Sequence, residues 1–149
     1  MNIPDGYQFL GWYKESTYNT KWTGKVASDD LTSANGDTVT VYAKWQMGIV
    51  YNANGHGTPP ATKVIVGSEA YYLPNMTAKG YTFGGWYEES TCVNLVGLAG
   101  ASYTATVAKT LYAKWTAKEY TINYDAKGGN ITGNTSFTKT FDTAITTDL

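Results

Sequence analysis

Cysteine is nearly absent from this chain of 149 residues: Cys92 stands alone, so no disulfide can form within it. Histidine is as scarce, and any Ser-His-Asp or Cys-His site would have to use His56. Neither sign of charge dominates. Eleven Lys and Arg face twelve Asp and Glu, which leaves no strong field to gather phosphate backbones or anionic lipid, so nucleic acid and membrane surfaces are not expected as partners. No run approaches the roughly 20 apolar residues needed to span a bilayer, so membrane insertion is not expected. Met1-Asn2-Ile3-Pro4-Asp5 lacks the basic and apolar regions of a signal peptide. If the parent protein is exported, its targeting segments are expected outside this chain.

What is present is aromatic and small. Thirteen Tyr, five Trp and sixteen Gly accompany abundant Thr and few Leu. Aromatic and β-branched side chains suit a pleated, half-buried surface, and Gly supplies the turns between strands. The expected class is mainly β, either all-β or α+β. Without a disulfide, a small domain relies on packing alone, and large rings are one way to achieve it.

The chain repeats itself. Gly6-Tyr7-Gln8-Phe9-Leu10-Gly11-Trp12-Tyr13 returns as Gly80-Tyr81-Thr82-Phe83-Gly84-Gly85-Trp86-Tyr87. Glu15-Ser16-Thr17 returns as Glu89-Ser90-Thr91, and Val41-Tyr42-Ala43-Lys44-Trp45 as Leu111-Tyr112-Ala113-Lys114-Trp115. The intervening stretch is four residues shorter in the second copy, where Asn35-Gly36-Asp37 is missing, so a loop of variable length sits there. A second pair runs out of step with the first. Ile49-Val50-Tyr51-Asn52-Ala53-Asn54-Gly55 resembles Ile122-Asn123-Tyr124-Asp125-Ala126-Lys127-Gly128, and each ends in a turn signal. More loosely, Val66-Gly67-Ser68 corresponds to Phe141-Asp142-Thr143. Such periodicity marks an array of units.

Period-two alternation identifies strands. Tyr120, Ile122 and Tyr124 share one face of a half-buried strand over residues 120–125. Val39, Val41, Ala43 and Trp45 share a face over residues 39–45, preceded by the two-residue hairpin signal Asn35-Gly36. Tyr7, Phe9 and Tyr13 alternate with Leu10 and Trp12, which places bulk on both faces. Residues 91–108 have no clear period, and a short helix is left open there.

The combination of an aromatic strand ending in a Gly-rich turn, a Gly-Tyr-x-Phe-x-Gly-Trp-Tyr block and a Leu-Tyr-Ala-Lys-Trp block resembles the Listeria-Bacteroides repeat, the B repeat of internalin B. The likeness covers nearly the whole chain. It implies compact β-grasp-like units repeated along bacterial surface or secreted proteins, in a spacer or interaction role. No catalytic residues are known for the family, so none carries over. Two departures stand out: Leu95 lies near where Trp22 sits in the first copy, and no wall-anchoring signal occurs here. Leu73-Pro74-Asn75-Met76-Thr77 starts like a sortase motif but lacks its Thr-Gly ending.

The polar residues assemble no reaction centre. His56 follows a turn glycine and aligns with Gly129, which suggests a solvated loop residue. Cys92 aligns with Tyr18 and has no second cysteine beside it, so it reads as a small, partly buried packing residue. Asp29, Asp30, Asn35 and Asp37 lack the ligand spacing and distal Glu of a Ca²⁺ loop and read as a polar hairpin tip. Glu88 and Glu89 are adjacent, which in a strand sends them to opposite faces, so they read as solvated charges rather than an acid and base pair. Sequons at Asn75, Asn130 and Asn134 matter only in a eukaryotic secretory host. No catalytic residue, cofactor or metal is expected.

The expected core consists of Tyr7, Phe9, Trp12, Trp45, Tyr81, Phe83, Trp86, Leu111 and Trp115, because a unit of this size must bury its largest side chains. Leu95 in place of Trp22 keeps bulk and apolarity but loses the ring, which points to burial there too. In the family phase, residues 1–45 end one repeat, 46–115 form a complete one and 116–149 begin another, with linkers at 46–48 and 116–119. The alternative phase gives whole units over 1–75 and 76–149. The expected function is a non-enzymatic module of a bacterial cell-surface or secreted protein, a stalk or adhesion element joined to neighbouring repeats. Its expected partner is a host or bacterial surface protein. The alternative is a carbohydrate-binding module that stacks exposed Trp and Tyr on a glycan.

Overall fold

A computed structural model describes residues 6–24, 38–130 and 132–144. Ten strands are present and no helix occurs among the described residues, so the chain is mainly β: β1 Tyr7–Tyr13, β2 Tyr42–Asn52, β3 Lys63–Val66, β4 Ala70–Tyr72, β5 Tyr81–Tyr87, β6 Leu95–Gly97, β7 Ser102–Thr104, β8 Lys109–Ala117, β9 Glu119–Asn123 and β10 Ser136–Thr140. Two compact units interleave along the sequence. One gathers residues up to 50 together with 61–71 and 103–110, and the other takes 51–60, 72–102 and 111 onward.

In the first unit β1 runs antiparallel to β2, with Tyr7 opposite Met47, Phe9 opposite Trp45 and Trp12 opposite Ala43. The register slips between Phe9 and Gly11. Such a bulge inserts one extra residue and twists the strand. Gly11 meets it with a φ of 134°, a conformation that side chains rarely adopt. Phe9 packs on Trp45 at 4.9 Å between centroids and edge-on to Trp12 at 5.5 Å. β3 pairs antiparallel with β2, from Gln46 opposite Val66 to Ile49 opposite Lys63. Period two is clear along β2: Met47, Ile49 and Tyr51 are buried, while Val50 between them is exposed.

The second unit repeats this ladder with different strands. β5 runs antiparallel to β8, with Tyr81 opposite Ala117, Phe83 opposite Trp115 and Trp86 opposite Ala113. The register again slips after the Phe, between Phe83 and Trp86, and Gly85 has a φ of 106°. A Cβ on Gly85 would lie 2.9 Å from the Gly97 carbonyl oxygen, so glycine is required there. β6 pairs with β5, and β9 with β10, antiparallel in both cases. Trp86, Leu111 and Ala113 are wholly enclosed, with Tyr51, Leu73, Met76 and Tyr87 also buried.

Five readings need correction. No helix forms over 91–108; β6 and β7 occupy that stretch, because Gly97 and Gly100 weaken a helix and Gly100 adopts a φ of 77°. The first copy's strand begins at Tyr42 rather than Val39. Residues 46–48 are not a linker but the interior of the eleven-residue strand β2, since Met47 and Ile49 both point into the core and keep the strand continuous across Gly48. Between β8 and β9, only Lys118 separates the two strands. Finally, Leu95 is 53% exposed rather than buried. By register it faces Tyr87 as Lys21 faces Tyr13, so its counterpart is Lys21, not Trp22. The Asn35-Gly36 turn and the acidic residues Asp29, Asp30 and Asp37 lie outside the described residues.

Of the nine aromatic and aliphatic residues picked out as core, Trp86 and Leu111 are fully enclosed, while Tyr7, Phe9, Trp12, Trp45, Tyr81, Phe83 and Trp115 are half-buried. Trp86 also donates its indole N–H to the Pro74 carbonyl at 2.8 Å. Trp86→Ala should cost about 3 to 5 kcal/mol through lost transfer energy and the cavity left behind, a large share of the 5 to 15 kcal/mol that typically stabilises a domain. Trp12→Ala, at a half-buried site, should cost less. Chemical denaturation of both variants, followed by near-UV circular dichroism, measures the difference.

Candidate functional site

The turns are where the copies build polar structure. After β2 and after β9 the chain makes the same turn: Asn54 and Lys127 have φ of 51° and 49°, and Gly55 and Gly128 of 96° and 93°. In each, an Asx side chain caps the bend, Asn52 accepting from the Asn54 N–H at 2.8 Å and Asp125 from the Lys127 N–H at 2.9 Å. The turns close through the His56 N–H to Ala53 and the Gly129 N–H to Ala126. His56 and Gly129 are therefore equivalent in backbone and differ only by an imidazole.

That imidazole is not a solvated loop group. It stacks on the Tyr81 ring at 3.8 Å, with 25° between planes, and meets Trp115 edge-on at 6.3 Å. The expectation assumed that a side chain dispensable in one copy would hang free in the other; here the neighbouring Tyr81 ring gives it a flat partner. Phe141 approaches Tyr81 edge-on at 5.5 Å. It does so across Gly80, where a Cβ would overlap the Phe141 ring at 2.2 Å. The Tyr81 hydroxyl donates to Asp142 Oδ2 at 3.0 Å, and that hydrogen bond, with smaller contributions from burial and the carboxylate's charge, raises the phenol above its ordinary value of 10.0. Around these groups lies an open cleft of about 630 Å³, bounded also by Thr58, Asn75, Thr77 and Lys79. A smaller cleft of about 220 Å³ in the first unit lies against Tyr7, Tyr18 and Trp45.

Glu89 is likewise more than a solvated charge. Its Oε1 accepts from the backbone N–H of Val93 at 2.9 Å and of Asn94 at 2.7 Å, and from the Asn94 side chain at 3.2 Å. Glu15 does the same for the Thr20 N–H at 2.6 Å. The two loops match in backbone as well, with Tyr18 at φ 59° and Cys92 at φ 54°. Sequence reasoning missed this because it weighed Glu88 and Glu89 as a pair; the recurrence of Glu15 as Glu89 was the signal. Cys92 is half-buried, its sulfur 3.5 Å from Asn54 Nδ2 and 3.7 Å from the Ala113 carbonyl. Asn54 Nδ2 also donates to the carbonyls of Ser90 and Ala113. The sortase-like stretch is part of the fold: Leu73 and Met76 are buried, and the Leu73 N–H and carbonyl bond to Ala101 and Gly100. Among the described residues no group of three or more His, Cys, Asp or Glu could hold a metal ion, and no helix is long and apolar enough to cross a membrane.

The model of the Listeria-Bacteroides repeat domain matches residues 3–44 and again 48–114. The chain belongs to the Listeria-Bacteroides repeat family. Internalin H of Listeria monocytogenes is 30% identical over 139 residues, which is 87% of this chain and 23% of that protein. Two proteins of Evansella cellulosilytica named as membrane proteins, one of them Gly-rich, are each 28% identical over 131 residues, or 85% of this chain and 18% and 14% of theirs. The chain thus spans less than a quarter of the length of these relatives. No solved structure matches it.

Hydrogen bonds to Glu89, the one from the Asn94 N–H foremost, together outweigh the opposing effect of desolvation and lower its carboxyl below the ordinary 4.5. A group depressed on folding contributes stability above its unfolded value, and the contribution fades as pH falls from about 4.5 through the folded value. Glu89→Gln should therefore flatten the acid limb of a melting-temperature profile below pH 4.5. Some acid sensitivity should remain, because Asp125, lowered chiefly by the Lys127 N–H, is untouched. For Cys92, half-buried and held among backbone acceptors, labelling by a thiol reagent should be slow in the native chain and fast in denaturant. Cys92→Ser should keep the native circular dichroism spectrum.

Proposed function

We propose that the chain serves as a stalk and protein-interaction module in the envelope of a bacterium, with the repeat over residues 46–115 as its complete folding unit. One observation carries the phase: every fully buried hydrophobic side chain among the described residues lies between Met47 and Ala113. The aromatic residues before Trp45 and after Ala117 are only half-buried or exposed, as expected of partial repeats that draw on their neighbours. The break between the two family matches, at 44 and 48, supports the same division. The β-grasp-like character of the unit belongs to this reading.

The structural role rests on how the chain uses its chemistry. The large rings pack on one another and on backbone: Trp86 and Trp115 give their indole N–H groups to Pro74 and Ala53 carbonyls, and Phe83 packs against both rings. Side chains spent on internal packing leave a repeat suited to spacing and presentation. An envelope location is supported by the names of the relatives, an internalin and two membrane proteins.

Two measurements test the proposal. A fragment of residues 46–118, made alone, should melt cooperatively with a near-UV signal from packed Trp86 and Trp115; an unfolded 46–118 fragment beside a folded 80–149 fragment would install the alternative phase. Antibodies raised against the chain should label intact cells of the source bacterium. Labelling that requires permeabilised cells would remove the surface role.

A further inference from the structure

We propose that the cleft beside Tyr81 is a subsite for a neutral saccharide, formed by His56, Tyr81 and Asp142 with Asn75 and Lys79 at its margin. The inference does not rest on the stalk reading, since a spacer needs no such cleft.

The first argument is that two of its polar groups are additions to the scaffold. The turn that carries His56 forms with the same dihedral angles where the chain has Gly129, so the fold does not require the imidazole. Asp142 has a φ of 59°, and the corresponding residue after β3 is Gly67, with a φ of 74°. Glycine takes that conformation freely and Asp tolerates it, so the turn forms with or without the carboxylate.

The second argument is the match between lining and ligand. Asp142 is exposed, and its Oδ2 is engaged by the Tyr81 hydroxyl while the carboxylate keeps a second oxygen able to accept from a ligand hydroxyl. Asn75 and Lys79 are exposed and supply donors. The rings of His56 and Tyr81, stacked on each other, border the cleft together with Met76 and Phe141. One lysine and one aspartate border the cleft, so the charges balance and favour an uncharged ligand. The cleft's volume of about 630 Å³ lies within the usual range for small-molecule sites, roughly 300 to 1,000 Å³. Polar atoms dominate its lining, which suits a polyhydroxylated ring better than an apolar peptide side chain.

His56 is the only histidine, so its imidazole resonances are unambiguous in the intact chain. The experiment titrates the 149-residue protein at fixed pH with chitotriose and with maltotriose, following those resonances and saturation transfer to the sugar. Saturable movement of the His56 signals with at least one of the two is expected. Asp142→Gly should then weaken binding about tenfold, as for loss of a hydrogen bond to a charged group. His56→Gly should abolish the saturation transfer. Both substitutions install what the other copy carries, and an unchanged melting temperature certifies the fold; Tyr81→Phe, which removes one hydroxyl, serves if either fails to fold. Absence of any His56 response to millimolar sugar, or equal affinity in Asp142→Gly, overturns the proposal. So would a response to a short peptide and to neither sugar, which would make the cleft a protein-binding site.

Discussion

Trp86 is wholly enclosed, and its indole N–H must therefore find an acceptor inside the protein. It finds the Pro74 carbonyl, which fixes the stretch between β4 and β5 against the sheet and explains why Leu73 and Met76 are buried on either side of it. Tyr51 comes to the same indole at 4.7 Å and Phe83 at 5.3 Å. A single ring thus joins the end of β2, the loop after β4 and the strand β5. No disulfide is available to do this, and buried hydrophobic groups are few, so the unit depends on one large side chain making contacts in several directions.

The bulge next to that ring is the second constraint. Both copies slip register after the Phe of their first strand, at Gly11 and at Gly85. The slip re-aims the Trp that follows: without it, Phe83 and Trp86 would alternate to opposite faces, whereas they pack edge-on with 68° between ring planes. The bulky residues on both faces of this strand, noted in the sequence, follow from an extra residue in the ladder.

Repetition was the legible part. It located β1 and β5, matched β2 to β8 through Trp45 and Trp115, and found the turns after Asn52 and Asp125, because each rests on a few residues whose backbone demands are local. What escaped depended on partners distant in sequence. His56 looked free because Tyr81 lies twenty-five residues away; Leu95 looked buried because its register with Tyr87 could not be read from spacing. Residues 46–48 looked like a linker, with Gly48 the reason, yet the buried neighbours Met47 and Ile49 keep the strand intact. The stretch over 91–108 had no period because β6 and β7 have three residues each, too few for alternation to show.

The loop after each Gly-Tyr-x-Phe strand is shaped by a carboxylate rather than by the residue at its crest. Glu15 and Glu89 hold the backbone, so the left-handed position at the crest is filled by Tyr18 in one copy and Cys92 in the other without altering the path of the chain. In the first copy the crest ring meets Tyr13 edge-on and shares the Lys44 ammonium with it; in the second the thiol lies against Asn54. A scaffold that fixes the loop with one residue and leaves another free to vary lets successive copies differ in the side chain at the crest while the loop itself stays the same, much as interchangeable bits fit one holder.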